Sequence, residues 1–347
     1  MTKHEIIIGN SYDMYSVPDS SVNFIVTSPP YPMIEMWDTM FSAQNPKIKE
    51  DLDAKNGRAA FLKMHDILNT VWKECDRVLT TGGFICINIG DATRTIADVF
   101  QLYSNHTQII NQFLNMGYSV LPDILWRKQS NSPNKFMGSG MYPAGAYVTY
   151  EHEYILIFRK GRKKTFKGEE KSLRQKSAFF WEERNKWFSD LWEIKGTSQK
   201  ILSMQKSRNK NASFPLEIPF RLINMYSVEG DTVLDPFAGL GTTNIACMIA
   251  NRNSIGFDID DKIANIALEN MNQSVNKFND IINDRIQKHL AFIENLPEDK
   301  KMKCYRNIPH GFLVKTKQET AIEIEQLSEI EKINNTYICF YEKYNKK

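Results

Sequence analysis

Five cysteines, Cys75, Cys86, Cys247, Cys304 and Cys339, are all that the 347 residues contain. Their number is odd, and none forms a CxxC pair or joins a Cys/His cluster, so neither a disulfide framework nor a structural zinc site is indicated. No apolar run comes near the ~20 residues of a membrane span. The opening stretch MTKHEIIIGN also lacks the apolar core of a signal peptide. A soluble, cytoplasmic protein is the expectation, with neither membrane nor metal among its partners. Internal repeats and low-complexity stretches are missing as well, which removes solenoid and fibrous architectures. The chain is longer than one average domain of ~100 to 200 residues, so a large domain with an insertion or second lobe is expected.

Charge is unevenly spread. The net value is +3, yet residues 160–210 hold 15 Lys and Arg against 6 Asp and Glu, leaving 29 against 35 elsewhere. A basic block on an otherwise slightly acidic protein suits a polyanion, although a solvated loop face has the same composition. The block also carries Trp181, Trp187 and Trp192 with Phe166, Phe179, Phe180 and Phe188. Aromatics interleaved with cations fit phosphate contact plus stacking; equally, they fit a small core of the segment's own.

Hydrophobic period and punctuation place β-rich runs at Ile6–Gly9, Val22–Thr27, Gly83–Ile89, Ile124–Arg127, Tyr154–Arg159, Thr232–Leu234 and Ser254–Asp258. Helical stretches separate them: Arg58–Leu79, about Ile96–Met116, Pro215–Tyr226, Thr242–Asn251 and Asp261 to about Asn295. Alternation of this kind predicts an α/β fold with a mostly parallel sheet. Beyond Pro297 the chain turns polar, with possible strands at 311–314 and 336–341 whose purpose the sequence leaves open.

Two strings carry chemistry. The first, Val233-Leu234-Asp235-Pro236-Phe237-Ala238-Gly239-Leu240-Gly241-Thr242-Thr243, runs from a strand through a glycine turn into a helix. Gly239 and Gly241 let backbone approach a ligand, and the helix start offers free N–H groups. Asp258 ends the next strand 23 residues after Asp235, where doubly wound folds grip ribose hydroxyls. The string lacks both the third glycine of the dinucleotide fingerprint and the Gly-Lys-Ser/Thr of a phosphate loop, which disfavours NAD and ATP.

The second string is Thr27-Ser28-Pro29-Pro30-Tyr31-Pro32, directly after the Val22 run. Prolines remove N–H donors and fix φ, so the carbonyls of this turn stay available as acceptors. A hydroxyl, free carbonyls and the flat face of Tyr31 are what a planar, amine-bearing base requires. Alone, the string reads as a Pro-Pro turn leaving a strand; its pairing with the glycine turn changes that.

With both strings in view, the sequence resembles the DNA amino-methyltransferases. SPPY near the amino end, a basic insertion, then DPFAGLGTT look like the β-class order, over roughly residues 5–275. Gly82-Gly83-Phe84 through Asn88-Ile89-Gly90-Asp91, the Glu151–Phe158 stretch, Asp190-Leu191-Trp192 and Phe214-Pro215 support it in sequence order. The resemblance implies a Rossmann-like, S-adenosylmethionine-dependent fold with a circularly permuted seven-stranded sheet. Residues 1–159 would form its catalytic half and 160–210 a target-recognition insertion. The cofactor-binding half would span 211–295, with 296–347 an extension of unassigned role.

The resemblance also implies roles. Ser28 and the Pro29 carbonyl would accept the N–H groups of an exocyclic amine, with Pro30 fixing the turn and Tyr31 stacking on a base flipped from duplex DNA. Asp235, Phe237, Ala238, Gly239 and Gly241 would surround the methionine part of S-adenosyl-L-methionine, and Asp258 would bind the ribose. Thr242 and Thr243 would reach its carboxylate, while Ser213, Phe214 and Pro215 close the methionine side. Asn10 stands near the adenine, where the resembling enzymes often have aspartate. Those with Ser before Pro-Pro mostly methylate cytosine N4 and those with Asp mostly adenine N6, so Ser28 favours cytosine. Ring-carbon methylation needs a Cys nucleophile after proline, and no Pro-Cys dipeptide occurs.

Double-stranded DNA is then the expected partner, with a cognate restriction endonuclease a further one. Arg127, Lys128, Arg159, Arg162, Lys163 and Lys164 are the candidate phosphate contacts. Trp37 either clamps the base or packs a loop, Asp91 lines the base site or is structural, and His152 is expected to be structural. Adenine N6, an RNA amine and a DNA-binding subunit without chemistry are the alternative readings.

Overall fold

The computed structural model describes residues 1–128, 137–195 and 214–345. Ten strands form its main sheet: β1 (Thr2–Ile8), β2 (Val22–Thr27), β3 (Leu79–Ile89), β4 (Ser119–Arg127), β5 (His152–Arg159), β6 (Leu191–Glu193), β7 (Thr232–Asp235), β8 (Asn253–Asp258), β9 (Glu325–Ile333) and β10 (Thr336–Lys343). Their spatial order is β6-β4-β5-β3-β2-β7-β8-β1-β10-β9. From β1 through β3 every pairing is parallel. β5 runs antiparallel between β3 and β4. The strand following the Asp235 strand thus lies beside it, with β1 third and β2 on its other flank. The permuted methyltransferase order is present.

β2 and the latter part of β3 are nearly continuous in apolar residues because both faces are covered by helices. β2, for instance, buries Val22, Phe24, Ile25 and Val26. On one side lies the helix Gly57–Val78, capped by Asn56, whose side chain accepts from Ala59 N. Its stripe Phe61, Met64, Leu68, Val71, Trp72 and Cys75 recurs at helical spacing and is buried. Fully burying side chains of this kind contributes roughly 1.5 to 3 kcal/mol each. The helix stops where Leu79 turns extended and enters β3. The opposite face is covered by the helices Glu217–Tyr226, Thr242–Ile249 and Val275–Glu294, whose Ile218, Leu222, Ile245 and Ile282 share one apolar cluster with Phe24 and Val233.

Several expectations are corrected. The helix expected from about Ile96 to Met116 begins only at Asn105. Ahead of it, Ala92–Ile96 and Val99–Tyr103 form a hairpin. Its two turn residues, Ala97 and Asp98, have φ of 52° and 62°, the conformation of a tight hairpin turn without its customary glycine. The long helix from Asp261 is two, Asp261–Met271 and Val275–Glu294, with Ser274 extended between them.

The basic segment does not stand apart from the core in its described part, residues 160–195. Phe180, Trp187 and Trp192 are buried, with Phe180 and Trp192 in the main apolar cluster. Phe180 stacks on His289 at 3.8 Å, and Arg285 holds Glu183 through two hydrogen bonds of 2.6 and 2.8 Å. Residues 296–345 also acquire a place. Leu313–Val314 pairs with Tyr305–Arg306, while β9 and β10 form a hairpin that extends the sheet beyond β1.

Candidate active site

Parallel strands deliver their carboxyl ends to one edge, so β1, β2, β3, β7 and β8 each bring a functional string to the same rim. Asp235 joins the two principal ones. Its Oδ1 accepts from Thr27 Oγ1 at 2.6 Å and from Phe237 N at 3.0 Å, and its Oδ2 accepts from Thr243 Oγ1 at 2.6 Å. The carboxylate therefore ties β2, the glycine turn and the following helix together. Burial pushes its pKa up to about 6, against the pull of the Thr243 and Thr27 hydroxyls.

Thr243, expected at the cofactor's carboxylate, donates its hydroxyl hydrogen to Asp235 and so clamps the helix start to the strand. Thr242 is buried at the start of the same helix.

Asp258 organises the neighbouring turn. Its Oδ2 accepts from Gly239 N at 3.0 Å and its Oδ1 from Asp260 N at 2.9 Å, while its backbone oxygen accepts from Gly9 N at 2.9 Å. Burial raises the Asp258 carboxyl above its ordinary range. Each oxygen retains lone-pair capacity for a ribose hydroxyl. Gly239 has φ of 52°, and a Cβ there would meet nothing nearer than the Phe237 carbonyl at 3.9 Å. Gly241, with φ of 76°, is needed for another reason: its Cβ would come within 3.1 Å of Ala267. Open space at Gly239, the Asp258 carboxylate and the N–H groups of the Thr242 helix fit a nucleoside bearing an amino acid tail.

The other expected cofactor residues divide. Ala238 is buried, and its N–H is held by Phe257 O at 2.8 Å. The Phe237 ring meets Trp72 edge-on at 6.0 Å, locking the turn to the core. Asn10 accepts from Tyr12 N at 3.2 Å and lies 3.4 Å from Gln44, at the same rim. Phe214 sits in the apolar cluster, and Pro215 precedes the Glu217–Tyr226 helix. Ser213 lies outside the described residues.

At the end of β2, Ser28 and Tyr31 are partly buried and Pro29 is buried. Ser28 Oγ is 3.1 Å from Tyr31 Oη. The chain leaves this turn through Met33, buried with φ of 69°, a strained conformation for a side chain of its kind. The phenol donates to Glu153 Oε2 at 2.8 Å. Asn88 Nδ2 donates to Glu153 Oε2 at 2.7 Å and to Tyr31 Oη at 2.8 Å. Burial, then the Glu153 charge, raises the Tyr31 pKa well above its usual value, so the phenol stays a donor. A Cβ on Gly90 would stand 3.0 Å from the Tyr31 ring and 3.3 Å from Glu153, so glycine leaves room for both.

Sequence reasoning does not single out Asn88 or Glu153. Their signal is a polar residue at the rim-facing end of each apolar run: Asn88 within Gly83–Ile89 and Glu153 directly before Tyr154–Arg159.

The candidate DNA contacts also divide. Arg127, half exposed, ends β4 at the rim, with Glu151 and Glu193 at 3.6 and 3.7 Å. Lys128 pairs with Glu153. Arg159, by contrast, ends β5 opposite Phe84, at the far end of the antiparallel pair. Arg162 and Lys164 lie beside Gly82, where β3 begins, and Lys163 lies between them. The structure therefore places Arg159, Arg162, Lys163 and Lys164, four of the candidate phosphate contacts, at the end of the sheet away from the rim.

Trp37 is partly buried against the cluster beneath the Gly57–Val78 helix. Asp91 accepts from His106 Nδ1 at 2.8 and 2.9 Å, and His152 meets the Tyr150 and Tyr154 rings at 4.5 and 5.1 Å. Among the described residues, no group of three or more His, Cys, Asp or Glu could hold a metal ion, and no helix is long and apolar enough to cross a membrane.

Comparison with known proteins adds lineage to this geometry. Residues 22–269 match the family described as DNA methylase, of N6/N4 type. The chain is 49% identical over 350 residues to the Type II methyltransferase M.MthZI of Methanothermobacter thermautotrophicus, covering 100% of this chain and 97% of that one. It is 50% identical over 279 residues to the Type II methyltransferase M.MjaI of Methanocaldococcus jannaschii, covering 77% of this chain and 91% of that one. Among solved structures, a DNA modification methylase from Thermus thermophilus complexed with S-adenosyl-L-methionine superposes with a TM-score of 0.58 at 29% identity, covering 78% of this chain and 97% of that one. The cytosine-N4-specific PvuII DNA methyltransferase, at 18% identity and TM-score 0.53, covers 83% of this chain and 94% of that one and shares the fold.

Proposed function

The chain belongs to the DNA methylase family of N6/N4 amino-methyltransferases, which use S-adenosyl-L-methionine, and from that membership we propose that it methylates cytosine N4 at a defined site in duplex DNA. The observation carrying this reading is a hydroxyl, not a carboxylate, at position 28, held by Tyr31 beside the glycine turn. Ser at this position goes mostly with cytosine in the enzymes it resembles. Like the relatives named Type II methyltransferases, it would serve a restriction–modification system, in the cytoplasm and alongside a cognate endonuclease.

When bound, S-adenosyl-L-methionine supplies an electrophilic methyl group. Asp258, Gly239 and the start of the Thr242 helix would hold it. The chain's own residues address the amine. Its lone pair is delocalised into the ring, so it is a poor nucleophile until its N–H groups are drawn toward acceptors. Ser28 Oγ and the Pro29 carbonyl are those acceptors, and they favour a pyramidal nitrogen. Tyr31 stacks on the extruded base, a contact worth ~1 to 3 kcal/mol against the few kcal/mol that flipping costs. Alignment supplies most of the remaining help, and no covalent enzyme intermediate is needed.

The test is transfer from labelled S-adenosyl-L-methionine to mixed-sequence duplex DNA, followed by digestion and mass analysis of the nucleosides. N4-methylcytosine is expected. N6-methyladenine would keep the enzyme class and overturn the base, and transfer to RNA alone would overturn the substrate.

A further inference from the structure

A carboxylate buried behind the acceptor turn has no part in the mechanism above. Glu153 lies on β5, which contributes neither motif, and its side chain is 10% exposed. One oxygen receives Tyr31 Oη and Asn88 Nδ2 at 2.8 and 2.7 Å, and the other is paired with Lys128. An ionised carboxylate only accepts hydrogen bonds, and this fixes direction along the chain of contacts.

Tyr31 has one hydroxyl hydrogen, and Glu153 takes it. At the 3.1 Å contact between Ser28 Oγ and Tyr31 Oη, the donor must then be Ser28. Asn88 is oriented in the same way: its NH2 faces the carboxylate, because its carbonyl oxygen there would be repelled. With its own hydrogen committed to Tyr31, Ser28 can present only lone pairs to whatever lies in front of it.

We propose that Glu153 is a positioning residue that sets the polarity of the Ser28 hydroxyl, acting through Tyr31, so that Ser28 can only accept from the target amine. The point is chemical. A hydroxyl free to rotate could donate to the amine's lone pair and tie up the electrons that must attack the methyl group. Glu153 removes that option from behind. Lys128 balances the buried charge, and Gly90 leaves space for the Tyr31 ring and the Glu153 stem to lie side by side. The inference rests on the reading of Ser28 as the amine's acceptor.

The experiment is a double-mutant cycle on the full-length enzyme with duplex DNA. Glu153→Gln keeps size but allows donation toward Tyr31. At saturating DNA and cofactor its kcat should fall by about 10²-fold, while Kd for DNA and for S-adenosyl-L-methionine stays within about twofold. In a Tyr31→Phe background the same substitution should cost nothing further. Unchanged kcat, or an equal loss in both backgrounds, overturns the proposal, as does a rise in either Kd that accounts for the whole effect. Should Glu153→Gln fail to fold, Tyr31→Phe and Ser28→Ala ask the same question: the hydroxyl's effect should vanish once Ser28 is gone, and persistence overturns the relay. Undiminished transfer by Ser28→Ala alone overturns the acceptor reading itself, a result separable from either cycle.

Discussion

Thr27 donates to Asp235 across 2.6 Å, and this one hydrogen bond fastens the strand bearing SPPY to the strand bearing DPFAGLGTT. Both residues are buried, at 0% and 2% exposure. Thr27→Val keeps the shape and deletes the donor. Leaving a buried carboxylate short of a partner costs about 1.5 to 3 kcal/mol. Denaturant unfolding should show that loss, and the rate of methyl transfer should fall with it because the two halves of the site share the bond.

Gly90→Ala tests the space behind Tyr31. Its φ is not in the left-handed region, so the backbone tolerates alanine, but the new methyl group would stand 3.0 Å from the ring. The ring must shift, and misplacement on the order of 1 Å can cost about 10²-fold in rate. We expect kcat to drop at least about tenfold with little change in melting temperature, compared by steady-state kinetics and calorimetry.

The two glycines of the turn should respond differently. Gly241→Ala meets Ala267 and a positive φ, so it should destabilise by roughly 1 to 3 kcal/mol. Gly239→Ala carries only the conformational cost of about 1 to 2 kcal/mol. Its methyl group, however, points into the open space of the turn. Calorimetric titration should find S-adenosyl-L-methionine binding at least about tenfold weaker, or ~1.4 kcal/mol, for Gly239→Ala.

A pH effect on stability is expected far from the chemistry. Burial raises the Glu229 carboxyl from 4.5 to about 7, with Arg252 opposing. The folded state thus holds this proton more tightly than the unfolded chain, and stability declines as pH rises from about 4.5 through about 7. Glu229→Gln removes the decline. Unfolding curves should coincide near pH ~4 and separate by on the order of 2 kcal/mol at pH ~8, with the variant more stable.

For DNA, Arg127→Ala should weaken binding and lower the salt slope by about 1. The triple change at Arg162, Lys163 and Lys164 should leave both nearly unchanged, since they lie where β3 begins. Binding isotherms across salt concentrations decide between the two ends of the sheet.

Much of this is legible from residue order. Strands buried on both faces announce themselves as apolar runs, and Val22–Thr27 falls on β2 residue for residue. Glycine turns and their following helices are equally local signals. The Ala97-Asp98 hairpin escapes such reading because its turn adopts positive φ without glycine or asparagine. Composition marks Arg159 and its basic neighbours as cations but carries no direction. Only the antiparallel pairing of β5 with β3 sends that run to the far end. Glu153 escapes for the same reason: its partners lie 65 and 122 residues away, at Asn88 and Tyr31.

The hairpin of β9 and β10 has a consequence for how molecules meet in solution. Without it β1 would be a bare strand border with unpaired amides and carbonyls, ready to template another copy. β10 occupies that border through Thr2–Glu5, and the border it leaves instead is β9, with the sequence EQLSEIEKI. Glutamates at 325, 329 and 331 and Lys332 now line the outermost strand. Charges so placed disfavour strand pairing with a second copy, so the hairpin exchanges a bare border for one that resists ribbon-like growth.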